Sequence, residues 1–326
     1  MAKIAVTRWI PDEAVKLLAE AGEVEVSPAD RPLTPAELHE FVGGAAAVVG
    51  MLHDRLDGAL ADAAGPGLEV VANVAVGYDN VDVAALAERG IVVTNTPGVL
   101  TDATADLAFG LLLAVTRRLG EGERLLRSRT PWSFHLGFLL GSGLQGKTLG
   151  IVGFGQIGRA MAHRATAFGM SVVYSGRSKK DTEAEYVSFE ELLARSDVVS
   201  LHCPLTPETR HLIDAAALRA MKPGAYLVNT TRGPVVDEAA LADALEAGEI
   251  AGAALDVFEK EPEVEPRLLG RDDVVLSPHL GSATVETRTE MAVLGIGHVT
   301  MQLEVADECE EVRAVAGQGG HRGHVH

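Results

Sequence analysis

Three side chains able to do acid–base and anion-binding chemistry stand where apolar runs end in the second half of this sequence. Arg232 lies in Asn229-Thr230-Thr231-Arg232-Gly233, Glu261 in the run Asp256 to Pro262, and His279 in Pro278-His279-Leu280-Gly281-Ser282. An arginine clamps a carboxylate and polarises the carbonyl beside it. A histidine exchanges a proton near neutral pH, and a nearby carboxylate raises its pKa and fixes its ring. Singly, each has a plainer reading: a cap or surface arginine, one acid of a charged loop, a buried histidine bonded to backbone. Together, beside glycines or prolines at successive strand ends, they point to one site, because ligands of an open α/β sheet lie outside the carboxyl ends of its strands.

A nucleotide suits the same edge. Residues 148–158, TLGIVGFGQIG, form an apolar strand that breaks into Gly153-Phe154-Gly155-Gln156-Ile157-Gly158 and runs on into a helical stretch, Arg159 to Phe168. Gly153 permits the tight turn, Gly155 lets backbone approach a pyrophosphate, and Gly158 allows close helix-to-sheet packing at a helix N-terminus. The next strand, 171–174, ends in Ser175-Gly176-Arg177-Ser178-Lys179-Lys180, and no acid occurs between Gly158 and Asp181. An NAD-type site places an acid about 20 residues into the unit to hold the ribose 2′-hydroxyl. Here Arg177, Ser178 and one of the lysines suit a 2′-phosphate instead. NADP(H) is favoured, with NAD(H) possible and a solvated basic turn the plain alternative.

Strands are expected near 2–7, 23–26, 46–50, 69–73 and 91–93, and helices near 12–20, 35–41, 56–63 and 81–88. One long helix is expected from Thr101 to about Arg127, bridging two domains, then an apolar loop over 131–144. A second alternation runs from Lys147 to Pro278, followed by a helix over about 283–304. This is an α/β chain of two Rossmann-like, doubly wound parallel-sheet domains joined by long helices. Residues 1–98 with about 287–326 form one, and 99–286 the nucleotide-binding one. The tail from Glu304, with His321, His324 and His326, is expected to be a frayed end rather than a metal site.

Composition sets the outer bounds. The 326 residues suffice for two cores. Their 28 basic and 46 acidic residues give a net charge of −18, which argues against a nucleic-acid surface. Cys203 and Cys309 are far apart and lack metal-ligand spacing, so structural thiols and no metal are expected. The N-terminus opens directly into a strand and no apolar run reaches membrane-span length, so a cytoplasmic protein with no membrane partner is expected.

The glycine turn, NTTRGPVVDE (Asn229–Glu238), LDVFEKEP (Leu255–Pro262) and SPHLGSAT (Ser277–Thr284) resemble the D-isomer-specific 2-hydroxyacid dehydrogenase family over roughly residues 40–300. NTPGVLTDATAD (Asn95–Asp106) and VGYDNVD (Val76–Asp82) resemble its glyoxylate/hydroxypyruvate reductase branch. The resemblance implies reduction of a small 2-keto acid by hydride transfer. Arg232 and the backbone N–H groups of Val76 and Gly77 would bind substrate, and His279 would give the proton, paired with Glu261. Asp256 would support the site. Gly153, Gly155, Gln156, Ile157, Gly158, Ser175, Arg177, Ser178, Pro204, Thr230, Thr231, Asp256 and Gly281 would line the cofactor. A homodimer whose small domain closes on the large one is also implied. Two departures stand out: the C-terminal segment lacks the family's Gly/Pro-rich end, and the loop Pro131–Ser142 matches only loosely, leaving Trp132, Phe134 and His135 without roles. Two rival readings remain: a nucleotide-sensing corepressor-like protein, and an NAD-dependent dehydrogenase of phosphoglycerate or phosphite.

Overall fold

Parallel strands covered on both faces need side chains that are apolar in both directions, and the strands here are written that way. The computed structural model describes residues 1–318, with side chains to residue 303. Its contacts divide the chain into two units, residues Met1–Val99 with those from Val285 on, and residues Leu100–Thr284.

The first unit contains β1 (Lys3–Val6), α1 (Asp12–Ala21), β2 (Glu23–Val26), α2 (Pro35–Phe41), β3 (Ala45–Gly50), α3 (Gly58–Ala64), β4 (Val70–Asn73), α4 (Val83–Ala87) and β5 (Val92–Thr94). All pairings are parallel, in the order β2-β1-β3-β4-β5. The central strands VVAN and AAAVVG are almost wholly buried, whereas edge strand β2, EVEV, alternates an exposed Glu with a half-buried Val. Charge on the open face of an edge strand discourages pairing with another chain. Thr34 and Glu37 close a reciprocal capping box at α2, and the Asp57 and Asp82 carboxylates cap α3 and α4.

The second unit opens with α5 (Thr101–Thr116) and α6 (Leu119–Arg127). It continues through β6 (Thr148–Val152), α7 (Gln156–Ala167), β7 (Ser171–Ser175), β8 (Glu185–Tyr186), α8 (Phe189–Arg195), β9 (Val198–Leu201) and α9 (Ala215–Ala220). Then come β10 (Tyr226–Asn229), α10 (Glu238–Ala247), β11 (Gly252–Leu255), α11 (Pro266–Leu269) and β12 (Val274–Leu276). The strands form one parallel sheet, β12-β11-β10-β9-β6-β7-β8. Helices cover both faces: α8, α9 and α10 supply Leu192, Leu218 and Leu241 to one core, while α5 and α7 supply Leu112 and Met161 to the other. Each such fully buried side chain contributes about 1.5–3 kcal/mol relative to exposure. The strand order reverses between β6 and β9, the crevice where such sheets bind nucleotides.

The helix expected over Thr101–Arg127 is two helices. Arg118 takes a left-handed φ of 53° and turns the chain, with its guanidinium bonded to both carboxylate oxygens of Glu121 at 2.6 and 2.8 Å. Gly120 and Gly122 weaken helix propensity just beyond the break. Within the second unit, α5 packs on α7, β10, β11 and β12.

The chain returns to the first unit at Val285, opening α12 (Val285–Gln318), which packs on α1, β3 and β4. The expected end near residue 304 is passed because no glycine or proline occurs from there until Gly317, and the acids of that stretch are tolerated in a helix. His321, His324 and His326 lie outside the described residues. No described helix is long and apolar enough to cross a membrane.

Candidate active site

Register brings the strand ends level. Asn229 of β10 pairs with Leu255 of β11, which pairs with Leu276 of β12, so the chain leaves the sheet at Thr230, Asp256 and Ser277 side by side. Val152 of β6 pairs with Leu201 of β9, placing Gly153 beside His202 and Cys203 at the same edge.

Two of the three glycines are required by their surroundings. Gly153 has φ +92°, and a Cβ there would lie 2.6 Å from the Cys203 nitrogen. At Gly158 a Cβ would lie 2.3 Å from the Gly153 carbonyl oxygen. Around Gly155 the space is open, and Gly155 caps α7 without any side-chain hydrogen bond. The first N–H groups of this 12-residue helix, through Gln156 and Ile157, thus face a clear approach with partial positive charge. Thr230 adds a buried hydroxyl with no hydrogen-bond partner. An open glycine at an uncapped helix end and an unsatisfied buried hydroxyl on the same edge fit a dinucleotide.

The end of β7 adjoins this turn, since the Ser175 carbonyl accepts the Gly153 N–H at 2.9 Å. Phe154 stacks on Tyr174 at 4.2 Å, the Tyr174 hydroxyl accepts the Lys180 N–H at 2.6 Å, and the Tyr186 hydroxyl donates to the Gly176 carbonyl at 3.0 Å. Ser178 accepts from Lys180 Nζ at 3.0 Å. Arg177 is exposed and makes no ion pair among the described residues. Across the crevice, the Thr231 hydroxyl donates to the Cys203 carbonyl, and the Pro204 carbonyl accepts the Thr209 hydroxyl at 2.7 Å. Burial pushes the His202 imidazole down to about 4 and the Cys203 thiol up to about 11. Both are therefore neutral near pH 7, and Cys203 is packing rather than a nucleophile.

Arg232 sits half-buried on extended backbone, with Nη1 donating to the Thr231 carbonyl at 2.9 Å. His279 Nδ1 lies 2.9 Å from Glu261 Oε2, and the two side chains are 25% and 19% exposed. The other Glu261 oxygen accepts the Phe258 N–H at 3.1 Å. A carboxylate at Nδ1 assigns the N–H to that nitrogen, so a proton to be exchanged is carried on Nε2. His279 itself has a left-handed φ of 54°, unusual outside glycine. Such strain persists where the surroundings over-determine it, and here its N–H is shared between the Asp256 and Ser277 carbonyls at 2.8 and 3.1 Å.

Asp256, 1% exposed, is the support of that loop. Its carboxylate accepts the Ser277 hydroxyl and the N–H groups of Leu280 and Gly281, the latter two at 2.7 and 2.8 Å. Its oxygens thus hold the loop that carries His279. Gly281 is buried, and its carbonyl accepts the Thr104 hydroxyl at 3.1 Å. Val76 and Gly77 belong to the first unit, in the loop after β4, where their carbonyls accept from Asn95 and Asn73, each at 2.9 Å.

Sequence reasoning missed two organisers. Asn229 takes the Thr231 N–H at 3.1 Å and donates to the Arg232 carbonyl at 3.0 Å, shaping the whole Arg232 loop. An Asn at a strand end is the available signal, since its side chain closes turns with nearby backbone. Gly233 is the other: a Cβ there would lie 1.9 Å from the Phe258 carbonyl carbon, so the Arg232 and Glu261 loops touch backbone to backbone.

Comparison with known proteins agrees with this geometry. Residues 109–281 match the family described as D-isomer specific 2-hydroxyacid dehydrogenase, NAD binding domain. A glyoxylate reductase of Thermococcus litoralis is 49% identical over 301 residues, covering 90% of this chain and 91% of that one. The structure of a glyoxylate reductase from Paecilomyes thermophila superposes with a TM-score of 0.84 at 35% identity, covering 93% and 95% of the two chains. That of the NADPH-dependent glyoxylate/hydroxypyruvate reductase of Sinorhizobium meliloti, in complex with NADP and malonate, does so at 0.78 and 40%, covering 90% and 91%. With its glycine turn at the switch point and its Arg, Glu and His on one sheet edge, the chain belongs to the D-isomer-specific 2-hydroxyacid dehydrogenase family, in the glyoxylate reductase branch.

Proposed function

We propose that the protein reduces glyoxylate to glycolate, and hydroxypyruvate to D-glycerate, with NADPH as the preferred reductant. The observation that carries the reading is the His279–Glu261 pair on the sheet edge shared by Arg232 and the glycine turn. Bound NADPH supplies a hydride to the carbonyl carbon. Arg232 binds the substrate carboxylate and polarises the adjacent carbonyl. His279 Nε2 gives its proton to the carbonyl oxygen as that oxygen becomes a hydroxyl, and Glu261 at Nδ1 fixes the ring that delivers it.

The NADPH preference rests on the turn after β7, where Arg177 is exposed without an ion pair among the described residues and no acid occurs between Gly158 and Asp181. The test is steady-state oxidation of NADPH and NADH with glyoxylate, hydroxypyruvate, pyruvate and phosphohydroxypyruvate, for the wild type and Arg177→Ala. The wild type is expected to favour NADPH with glyoxylate or hydroxypyruvate. Arg177→Ala is expected to raise KM for NADPH roughly 10- to 100-fold, as loss of charge-assisted hydrogen bonds implies, and to leave NADH within about twofold. Equal losses with both cofactors sink the 2′-phosphate role. Cofactor binding without turnover of any acid moves the assignment to a nucleotide sensor.

A homodimer is part of the same reading. Leu119, Leu126, Trp132, Phe134, Leu136 and Leu140 are all more than half exposed on one segment, and apolar surface so concentrated marks a protein contact. Sedimentation equilibrium is expected to give twice the 34.2 kDa chain mass, and a monomer at micromolar concentration counts against the dimer.

A further inference from the structure

Glu238 opens α10 and is 6% exposed, yet it makes no ion pair among the described residues. One of its carboxylate oxygens accepts the N–H of Glu259 and the other the N–H of Glu265 at 3.3 Å. A single buried side chain therefore grips the loop on both sides of Glu261. The loop returns the contact, since Glu259 Oε2 accepts the Glu238 N–H at 3.3 Å. The other Glu259 oxygen lies 2.5 Å from His211 Nε2 and 3.9 Å from Arg210 Nη2, and Asp237 stands 3.8 Å from His211 Nδ1. A further anchor is Gly233, whose backbone abuts the Phe258–Glu259 peptide.

A buried carboxyl group without an ion pair is costly to keep, and burial holds this one above the ordinary carboxylate range although the N–H groups of Glu259 and Glu265 pull it the other way. A helix start that needed only a cap has one in Asp237, whose carboxylate accepts the Ala240 N–H at 3.0 Å. Glu238 is thus surplus to the helix, and its two acceptor oxygens are both committed to the loop that carries Glu261.

We infer that Glu238 is a positioning residue for the proton donor, fixing the 259–265 loop so that Glu261 meets Nδ1 of His279. The inference rests on the reading of His279 and Glu261 given above. Its test is a double-mutant cycle on kcat with glyoxylate and NADPH, using Glu238→Ala, Glu238→Gln and Glu261→Gln. Glu238→Ala is expected to lower kcat roughly 10- to 50-fold, with KM for NADPH within about twofold, because orientation rather than binding is lost. Glu238→Gln, which keeps one acceptor oxygen, is expected to recover most of that rate. In the Glu261→Gln background the further loss on adding Glu238→Ala is expected to shrink below about twofold, since residues acting through one another are non-additive.

Losses that multiply, or an unchanged kcat in Glu238→Ala, overturn the inference. If Glu238→Ala does not fold, Glu238→Gln carries the same cycle, expected to show a smaller loss that again vanishes in the Glu261→Gln background. A second readout needs no substrate: the imidazole NMR titration of His279 is expected to move in the same direction in Glu238→Ala or Glu238→Gln as in Glu261→Gln. A wild type that fails to turn over glyoxylate defeats the functional reading, whereas a His279 titration unmoved by Glu238 substitution defeats the positioning role alone.

Discussion

His279→Ala lowers kcat for glyoxylate about 10²- to 10⁴-fold while KM for NADPH stays within about twofold, the expected loss for a general acid that does not bind cofactor. The geometry behind this is the 2.9 Å contact of Nδ1 with Glu261, which leaves Nε2 to carry the transferable proton. Alanine also sits poorly at the left-handed φ of 54°, so the substitution alters backbone energy as well as chemistry. His279→Asn separates the two, because asparagine enters this region more readily and still cannot act as the acid. Both variants are expected to lose rate to a similar extent, as read by steady-state kinetics with saturating NADPH. Turnover within tenfold of the wild type in His279→Asn shows that the proton comes from elsewhere.

Arg232→Ala lowers kcat/KM for glyoxylate by about 10²- to 10³-fold, shared between a higher KM and a lower kcat, with KM for NADPH unchanged. The guanidinium is half-buried and held by the Thr231 carbonyl on a loop shaped by Asn229, so on the proposed reading its removal leaves an anionic substrate without a partner in a preformed site. Arg232→Lys is expected to recover only part of the loss, because an ammonium keeps the charge but not the planar fork. A KM for glyoxylate that stays constant in Arg232→Ala excludes carboxylate binding by this residue.

Much of this architecture was legible in the residues. Runs such as VVAN, VVSL and YLVN are apolar on both faces because helices cover both sides of each parallel sheet, so strands stood out and the glycine turn could be placed between β6 and α7. The Arg, Glu and His of the site were legible because each leaves a strand at the carboxyl edge. Less visible was the break at Arg118, since a left-handed arginine carries no sequence signature and the apolar spacing of α5 runs through it once the two glycines beyond are discounted. Asn229, Gly233 and Glu238 escaped notice for another reason. Their work is done on backbone atoms of segments 2 to 27 positions away, as in the Glu238 contact with the Glu265 N–H, and the identity of a residue says little about which distant peptide it will meet.

The close approach at Gly233 bears on how far this scaffold can be redesigned. With a Cβ excluded at 1.9 Å, the Arg232 loop and the Phe258–Glu261 turn have no side-chain layer between them to absorb a change of shape. Insertions or bulky substitutions in 229–233 therefore displace the Glu261–His279 contact along with Arg232. On the proposed reading, substrate range in this chain is better varied from segments that do not share that backbone seam, leaving recognition and proton delivery to be inherited as one block.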